Sequence, residues 1–322
     1  MKKLKIGVIG TGHMGSNHVR ALSQAEEFDL VGLYDVDAVQ AGRLAGQYGV
    51  PAYSSPEELL PRVEAVVIAA PSSLHREIGL LVAEHGLHAL IEKPLAMTSV
   101  DAGAIAEAFR AKGCKLAVGH IERFNPVIAA LKKMLDSKSV FRIEAYRCSF
   151  FGNSGRITDS DVIWDLMIHD IDLVCHLMEP CRITGIHKLS EKVRSDGADF
   201  ATMFLAFDTG AHAILNASRV SQETERFLRI YLPDSCIHAD LLSHSLQILE
   251  HEETDIRGGC RQESVLRKVF VPRGDQLRAE QMDFYRAVRE DVPAGVDGAA
   301  AVRAIRICED ALDICGEVSQ TW

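Results

Sequence analysis

Four titratable side chains recur at short intervals in "WDLMIHDIDLVCHL", residues 164–177: Asp165, His169, Asp172 and His176. An α-helix advances about 100° per residue, so all four fall within roughly 60° of arc. Three readings suit such a face. Carboxylates and imidazoles at this spacing are a ligand set for a divalent metal. An Asp one turn from a His is a proton relay, because the carboxylate favours imidazolium and fixes the ring's tautomer. The third reading is a polar stripe that merely meets water. The stretch alone does not choose among them.

A second group lies near the N-terminus. "GTGHMG" spaces Gly10, Gly12 and Gly15 as G-x-G-x-x-G, after the apolar run "LKIGVI" and before the helical pattern "SNHVRALSQ". Such glycines let the backbone turn tightly and approach a pyrophosphate, whose charge faces the helix N-terminus. Asp35 stands at the end of the next apolar run, about twenty residues on. Its carboxylate suits both hydroxyls of an adenosine ribose and repels a 2′-phosphate. Asp37 adds to that repulsion, and no Arg or Lys follows closely. The expected cofactor is NAD, with Thr11, His13 and Met14 completing the phosphate-facing loop.

Two further clusters end apolar runs. "AAPSSLH" carries Pro71, Ser72 and His75, and "IEKPLA" carries Glu92 and Lys93. In open α/β sheets, ligands bind beyond the carboxyl ends of the strands, so these residues are expected at the cofactor crevice. In "GHIERFNP", Arg123 suits a diphosphate or carboxylate, which its planar fork binds bidentately. Asn125 is grouped with it as substrate-binding, and His120 reads as strand-end packing.

The elements behind these residues fall into two patterns. Up to residue 122, apolar strands alternate with helical periods, which predicts a doubly wound parallel sheet. Two helices follow, and then strand patterns at 140–151, 182–189, 198–208, 211–219, 225–232, 235–241, 244–250 and 264–271. Strands without intervening helices predict a large open, mostly antiparallel sheet in an α+β domain. The polar, Gly-rich "ETDIRGGCRQ" predicts a mobile loop, and the tail from Asp275 predicts two helices. The expected domains are 1–122 and 123–322; a chain of 322 residues is long for one domain and comfortable for two.

Composition narrows the partners. The formal net charge of -10 gives no attraction to a phosphate backbone, so nucleic acid is not an expected partner. No apolar run reaches the length of a membrane span. "MKKLKIGVIGTG" breaks at Gly10 and reads as a first strand rather than a leader. The eight cysteines form no C-x-x-C pair and read as reduced, in a cytoplasmic protein.

Taken in order, "GTGHMGSNH", Asp35, "APSSLH", "EKP" and the D-x-x-x-H pair resemble the Gfo/Idh/MocA oxidoreductases over nearly the whole chain. The resemblance implies a Rossmann domain, an open-faced sheet domain that often mediates oligomerisation, and hydride transfer between nicotinamide and a sugar or polyol carbon. A homodimer or homotetramer through that sheet is expected. Lys93, Asp165 and His169 fall on the family's catalytic positions, and all three are expected to touch substrate. Many members have Gly midway between the Asp and the His, where this chain has Met167. "GHIERFNP" with "DLMIHDIDL" is most similar to the nucleotide-sugar branch, in particular UDP-N-acetylglucosamine 3-dehydrogenases. The implied substrate is a sugar nucleotide, oxidised at C3. The alternatives are a polyol, inositol or free-sugar dehydrogenase of the same family, and a non-catalytic NAD-binding regulator. With Lys93 supplying positive charge, the Asp165–His169 face is read as a proton relay without metal; either Lys93 or His169 is the formal base.

Overall fold

A computed structural model describes residues 2–150, 161–256 and 259–313, which form two compact units. In the first, the apolar runs are strands β1 (Leu4–Ile9), β2 (Phe28–Tyr34), β3 (Ala65–Ile68), β4 (His88–Glu92) and β5 (Leu116–Gly119). They pair in parallel in the order β2-β1-β3-β4-β5. Helices α1 (His13–Ser23), α2 (Ala38–Tyr48), the single-turn α3 (Pro56–Leu59), α4 (His75–Glu84) and α5 (Ser99–Ala111) connect them. Every residue of β3 is fully buried, as a parallel strand covered on both faces requires. The strand order reverses between β1 and β3, which puts the ligand crevice at their carboxyl ends. Those ends carry the glycine loop and Ala69-Ala70-Pro71.

The second unit starts at Asn125. It contains α6 (Pro126–Met134), β6 (Arg142–Phe150) and one π-helical turn, Ile163–Met167, that runs into α7 (Ile168–Met178). Strands β7 (Ile183–Glu191), β8 (Phe200–Phe207), β9 (His212–Ser221), β10 (Glu225–Leu232), β11 (Ser235–Asp240), β12 (Ser245–Ile256) and β13 (Gly259–Val269) follow. With β6 they form an eight-stranded sheet in the order β13-β12-β11-β10-β6-β9-β8-β7, antiparallel except for the β6–β9 pair. Alternation decides its faces. Ala201, Met203 and Leu205 are fully buried on the side that α7 covers, while Phe200, Thr202 and Phe204 on the other side are half-buried.

The segment expected as a loop, 253–262, differs. Residues 257–258 lie outside the described residues, as does residue 151 at the end of the expected first strand. The remainder of the segment extends β12 and β13, with Glu253 opposite Gln262 and Ile256 opposite Gly259. The sequence of this segment has no apolar alternation, but a hydrogen-bonded ladder needs only backbone.

The chain then returns to the first unit, over Asp275–Arg306, through α8 (Gln276–Arg289) and the start of α9 (Gly298–Asp313). Phe284 and Tyr285 lie in the same buried cluster as Leu4, Ile6 and Phe28, and the Phe28 and Tyr285 rings meet edge to face at 5.6 Å. Val118 N–H donates to the Val296 carbonyl at 3.0 Å. The compact units therefore differ from the expected 1–122 and 123–322, because α8 buries its apolar face on the parallel-sheet domain.

Candidate active site

The glycine loop is built by exclusion. Gly10 has a φ of +91°, and a Cβ there would stand 2.5 Å from the Ala69 carbonyl carbon. A Cβ on Gly15 would stand 1.9 Å from the Gly10 carbonyl oxygen, so both positions admit only glycine. Gly12 is the N-cap of α1, makes no side-chain cap, and would carry a Cβ into open space. The first N–H groups of α1 thus face a gap bordered by bare backbone, which fits a pyrophosphate. His13 is exposed and Met14 half-buried, while Thr11 is fully buried.

Thr11 works inward. Its N–H and its hydroxyl donate to Asp35 Oδ2 at 2.5 and 2.9 Å, and Asp37 N–H donates to Asp35 Oδ1 at 2.9 Å. Partial burial raises the Asp35 pKa, but these hydrogen bonds outweigh it and hold the group below its ordinary value. Val36 N–H is a further donor to the same carboxylate, so about four acceptor sites are engaged from within the chain. Accepting from ribose hydroxyls, as the sequence suggests, requires some of these donors to give way. Asp37 instead caps α2, accepting from Val39 and Gln40 N–H at 3.1 and 3.0 Å.

At the other strand ends, Pro71 is exposed, and Ser72 and Lys93 are half-buried. His75 and Glu92, expected at the cofactor crevice, both have partners within the chain. The His75 ring is 1% exposed, with Nδ1 2.8 Å from the Pro94 carbonyl and Nε2 2.9 Å from the Ala70 carbonyl. It ties the turn after β3 to the turn after β4. Burial lowers its pKa, against the pull of those two carbonyl oxygens. The Glu92 carboxylate faces the interior, with Oε1 2.9 Å from His18 Nε2 and Oε2 accepting from Lys93 N–H at 3.3 Å. Both residues support the crevice from within.

Arg123 sits in a 3-10 turn, Ile121–Phe124, half-buried, and Nη1 donates to the Gly295 carbonyl at 3.4 Å. Asn125 is the other residue expected to bind substrate. It is fully buried, caps α6 by accepting from Val127 N–H at 3.0 Å, and donates to the Leu241 carbonyl at 3.1 Å. An amide so committed has a structural role, and Pro126 at the first helical position marks the same cap. His120 is 1% exposed, as strand-end packing requires.

In the second unit, Asp161 accepts from Ile163 and Trp164 N–H at 2.9 and 3.1 Å and starts the helix. Asp165 lies within the π turn and His169 in the first turn of α7, both half-buried. The expected single face of four side chains assumes an α-helix throughout. A π turn closes on the fifth residue and changes the phase, so the α-helical register holds only for His169, Asp172 and His176. Such turns are frequent at functional sites. Asp172 is 1% exposed and Met167 fully buried. His176 Nδ1 lies 3.7 Å from Glu179 Oε2. Among the described residues no group of three or more His, Cys, Asp or Glu could hold a metal ion.

Residues 4–120 match the family model described as oxidoreductase family, NAD-binding Rossmann fold, and residues 128–238 match the GFO/IDH/MocA C-terminal domain. The chain is 33% identical over 307 residues to the UDP-N-acetylglucosamine 3-dehydrogenase of Acidithiobacillus ferrooxidans, covering 95% of each chain. It is 25% identical over 310 residues to the myo-inositol 2-dehydrogenase of Thermotoga maritima, covering 92% of this chain and 91% of the other. Among solved structures, the A. ferrooxidans enzyme GnnA superposes with a TM-score of 0.87 at 32% identity, over 96% of each chain. Levoglucosan dehydrogenase in complex with NADH and L-sorbose shares the fold, with a TM-score of 0.84 at 19% identity over 97% of this chain and 96% of the other.

Proposed function

The chain belongs to the Gfo/Idh/MocA family of NAD-binding oxidoreductases, and from that premise we propose that it oxidises C3 of a UDP-N-acetylhexosamine. The observation that carries this reading is the match, end to end, to a UDP-N-acetylglucosamine 3-dehydrogenase at 33% identity. NAD, when bound, supplies the nicotinamide carbon that takes up hydride. His169, with Lys93 assisting, accepts the hydroxyl proton. Asp165, in the turn before, favours the imidazolium that forms. Arg123 contributes a fork for the diphosphate, and binding energy from the nucleotide positions the sugar.

Two finer points belong to the same proposal. The protein is a homodimer or homotetramer through the sheet face opposite α7. That face is rich in half-buried rings: Tyr146 stacks on Phe227 at 5.3 Å and Phe204 on His212 at 5.4 Å. A cytoplasmic location follows from the reduced reading of the cysteines, and Cys114, Cys148, Cys181 and Cys236 are free thiols. No helix among the described residues is long and apolar enough to cross a membrane.

The deciding experiment is NADH formation with UDP-N-acetylglucosamine, UDP-N-acetylgalactosamine, myo-inositol and glucose. A UDP-sugar should be preferred. Arg123→Ala should cost about 1.5–3 kcal/mol in kcat/KM for it, the worth of a charge-assisted contact, with little change for NAD. Inositol or glucose turned over as fast as any UDP-sugar would sink the reading in favour of a polyol dehydrogenase.

A further inference from the structure

Behind Lys93, side chains from distant parts of the chain form a buried series of hydrogen bonds. Gln281 of α8 directs Nε2 at His18 Nδ1, 3.1 Å away, and at the His18 carbonyl oxygen, 3.4 Å away. His18 Nε2 lies 2.9 Å from Glu92 Oε1, and Glu92 Oε2 accepts from Lys93 N–H. His18 is fully buried, Gln281 is 1% exposed and Glu92 8%. An amide nitrogen only donates, so His18 Nδ1 accepts and the ring hydrogen sits on Nε2, pointing at Glu92. Reversing the Gln281 amide would set its oxygen against the His18 carbonyl oxygen, so two contacts fix the orientation. Gly119 leaves the room required: a Cβ there would stand 2.8 Å from Glu92 Oε2.

We propose that His18 and Gln281 are positioning residues for Lys93. Gln281 anchors the His18 ring at Nδ1, the His18 Nε2–H holds the Glu92 carboxylate, and Glu92 holds the backbone turn that presents Lys93. The inference rests on the reading of Lys93 as catalytic. A reacting group displaced by about 1 Å loses up to 10²-fold in rate, so a small shift of this turn is felt in turnover.

The test uses the full chain. Selective ¹⁵N labelling of histidine should show His18 as the Nε2–H tautomer, and Gln281→Met should keep that tautomer while lowering kcat. With NAD and UDP-N-acetylglucosamine, His18→Leu should lower kcat by about 10- to 100-fold with the KM for NAD within about twofold. His18→Gln, whose amide N–H reaches toward Glu92, should recover most of the loss. Lys93→Met in the same assay separates the two readings. Normal turnover by Lys93→Met removes the assignment of Lys93. An inactive Lys93→Met beside wild-type kcat in His18→Leu and Gln281→Met overturns the positioning role. An Nδ1–H tautomer in the unmodified protein overturns it too, which keeps the test decisive if His18→Leu does not fold.

Discussion

Arg147 grips Asp170 with two nitrogens: Nε lies 3.1 and 3.0 Å from the two carboxylate oxygens, and Nη2 lies 2.9 Å from Oδ1. Both side chains are 3% exposed. The pair joins β6 to α7 at the residue after His169, and so fixes how that helix is rotated on the sheet. A buried charge left without its partner is costly, on the order of 3–5 kcal/mol. Asp170→Ala should therefore lower unfolding stability by about that amount, measured by urea denaturation. The double change Arg147→Met with Asp170→Leu should recover most of it, since well-packed apolar replacements of buried pairs are often neutral. An unchanged midpoint in Asp170→Ala would show that the pair contributes nothing.

The proposed preference for NAD over NADP rests on Asp35. Val36 beside it is 82% exposed and free to be exchanged. Asp35→Ser combined with Val36→Arg should move the ratio of kcat/KM from NAD toward NADP, by removing a repelling carboxylate and adding a phosphate fork. Equal affinity of the unmodified protein for NAD and NADP, by titration calorimetry, would contradict the role given to Asp35.

The proposed proton relay is His169 with Asp165. His169→Ala should lower turnover by about 10²–10⁴, the usual worth of a positioned acid or base, while NAD still binds. Asp165→Asn should lower it as well, and His176→Gln should cost less. Activity should survive dialysis against a strong chelator. Its loss on chelation and return with a divalent ion would make these residues ligands instead.

Glu280 of α8 supplies a pH signature of stability. Its carboxyl is 2% exposed, and neither oxygen has a hydrogen-bond partner among the described residues. Burial first, and then the charges of Glu92 and Asp283, push its pKa well above the ordinary 4.5. The folded protein therefore holds this proton to higher pH than the unfolded chain. The stability that results is complete below the unfolded value near 4.5 and declines as pH rises toward the folded value. Glu280→Gln should flatten that decline, so that denaturation at pH 5 and pH 8 separates the variant from the wild type only at the higher pH. Parallel pH curves would refute it.

What the sequence determined by itself is what neighbouring residues settle among themselves. Gly10 and Gly15 are dictated by a turn a few residues long, Asp35 by the end of one strand, and many strands of the second unit by period-two alternation. Asn125 carries a local signal too, an Asn before a Pro at a helix start, which marks a cap and which the substrate-binding reading passes over. Tertiary structure decided the rest. An amphipathic pattern says that α8 buries one face, but not that the face meets β1 and β2. Gln281 and His18 are 263 residues apart, and Arg147 and Asp170 face each other only because β6 and α7 pack. Glu92 and His75 carry types suited to a ligand, and their spacing is right for one. Only packing shows them turned inward, because which way a side chain leaves a strand end depends on what fills the space behind it, and that space is assembled from elements far along the chain.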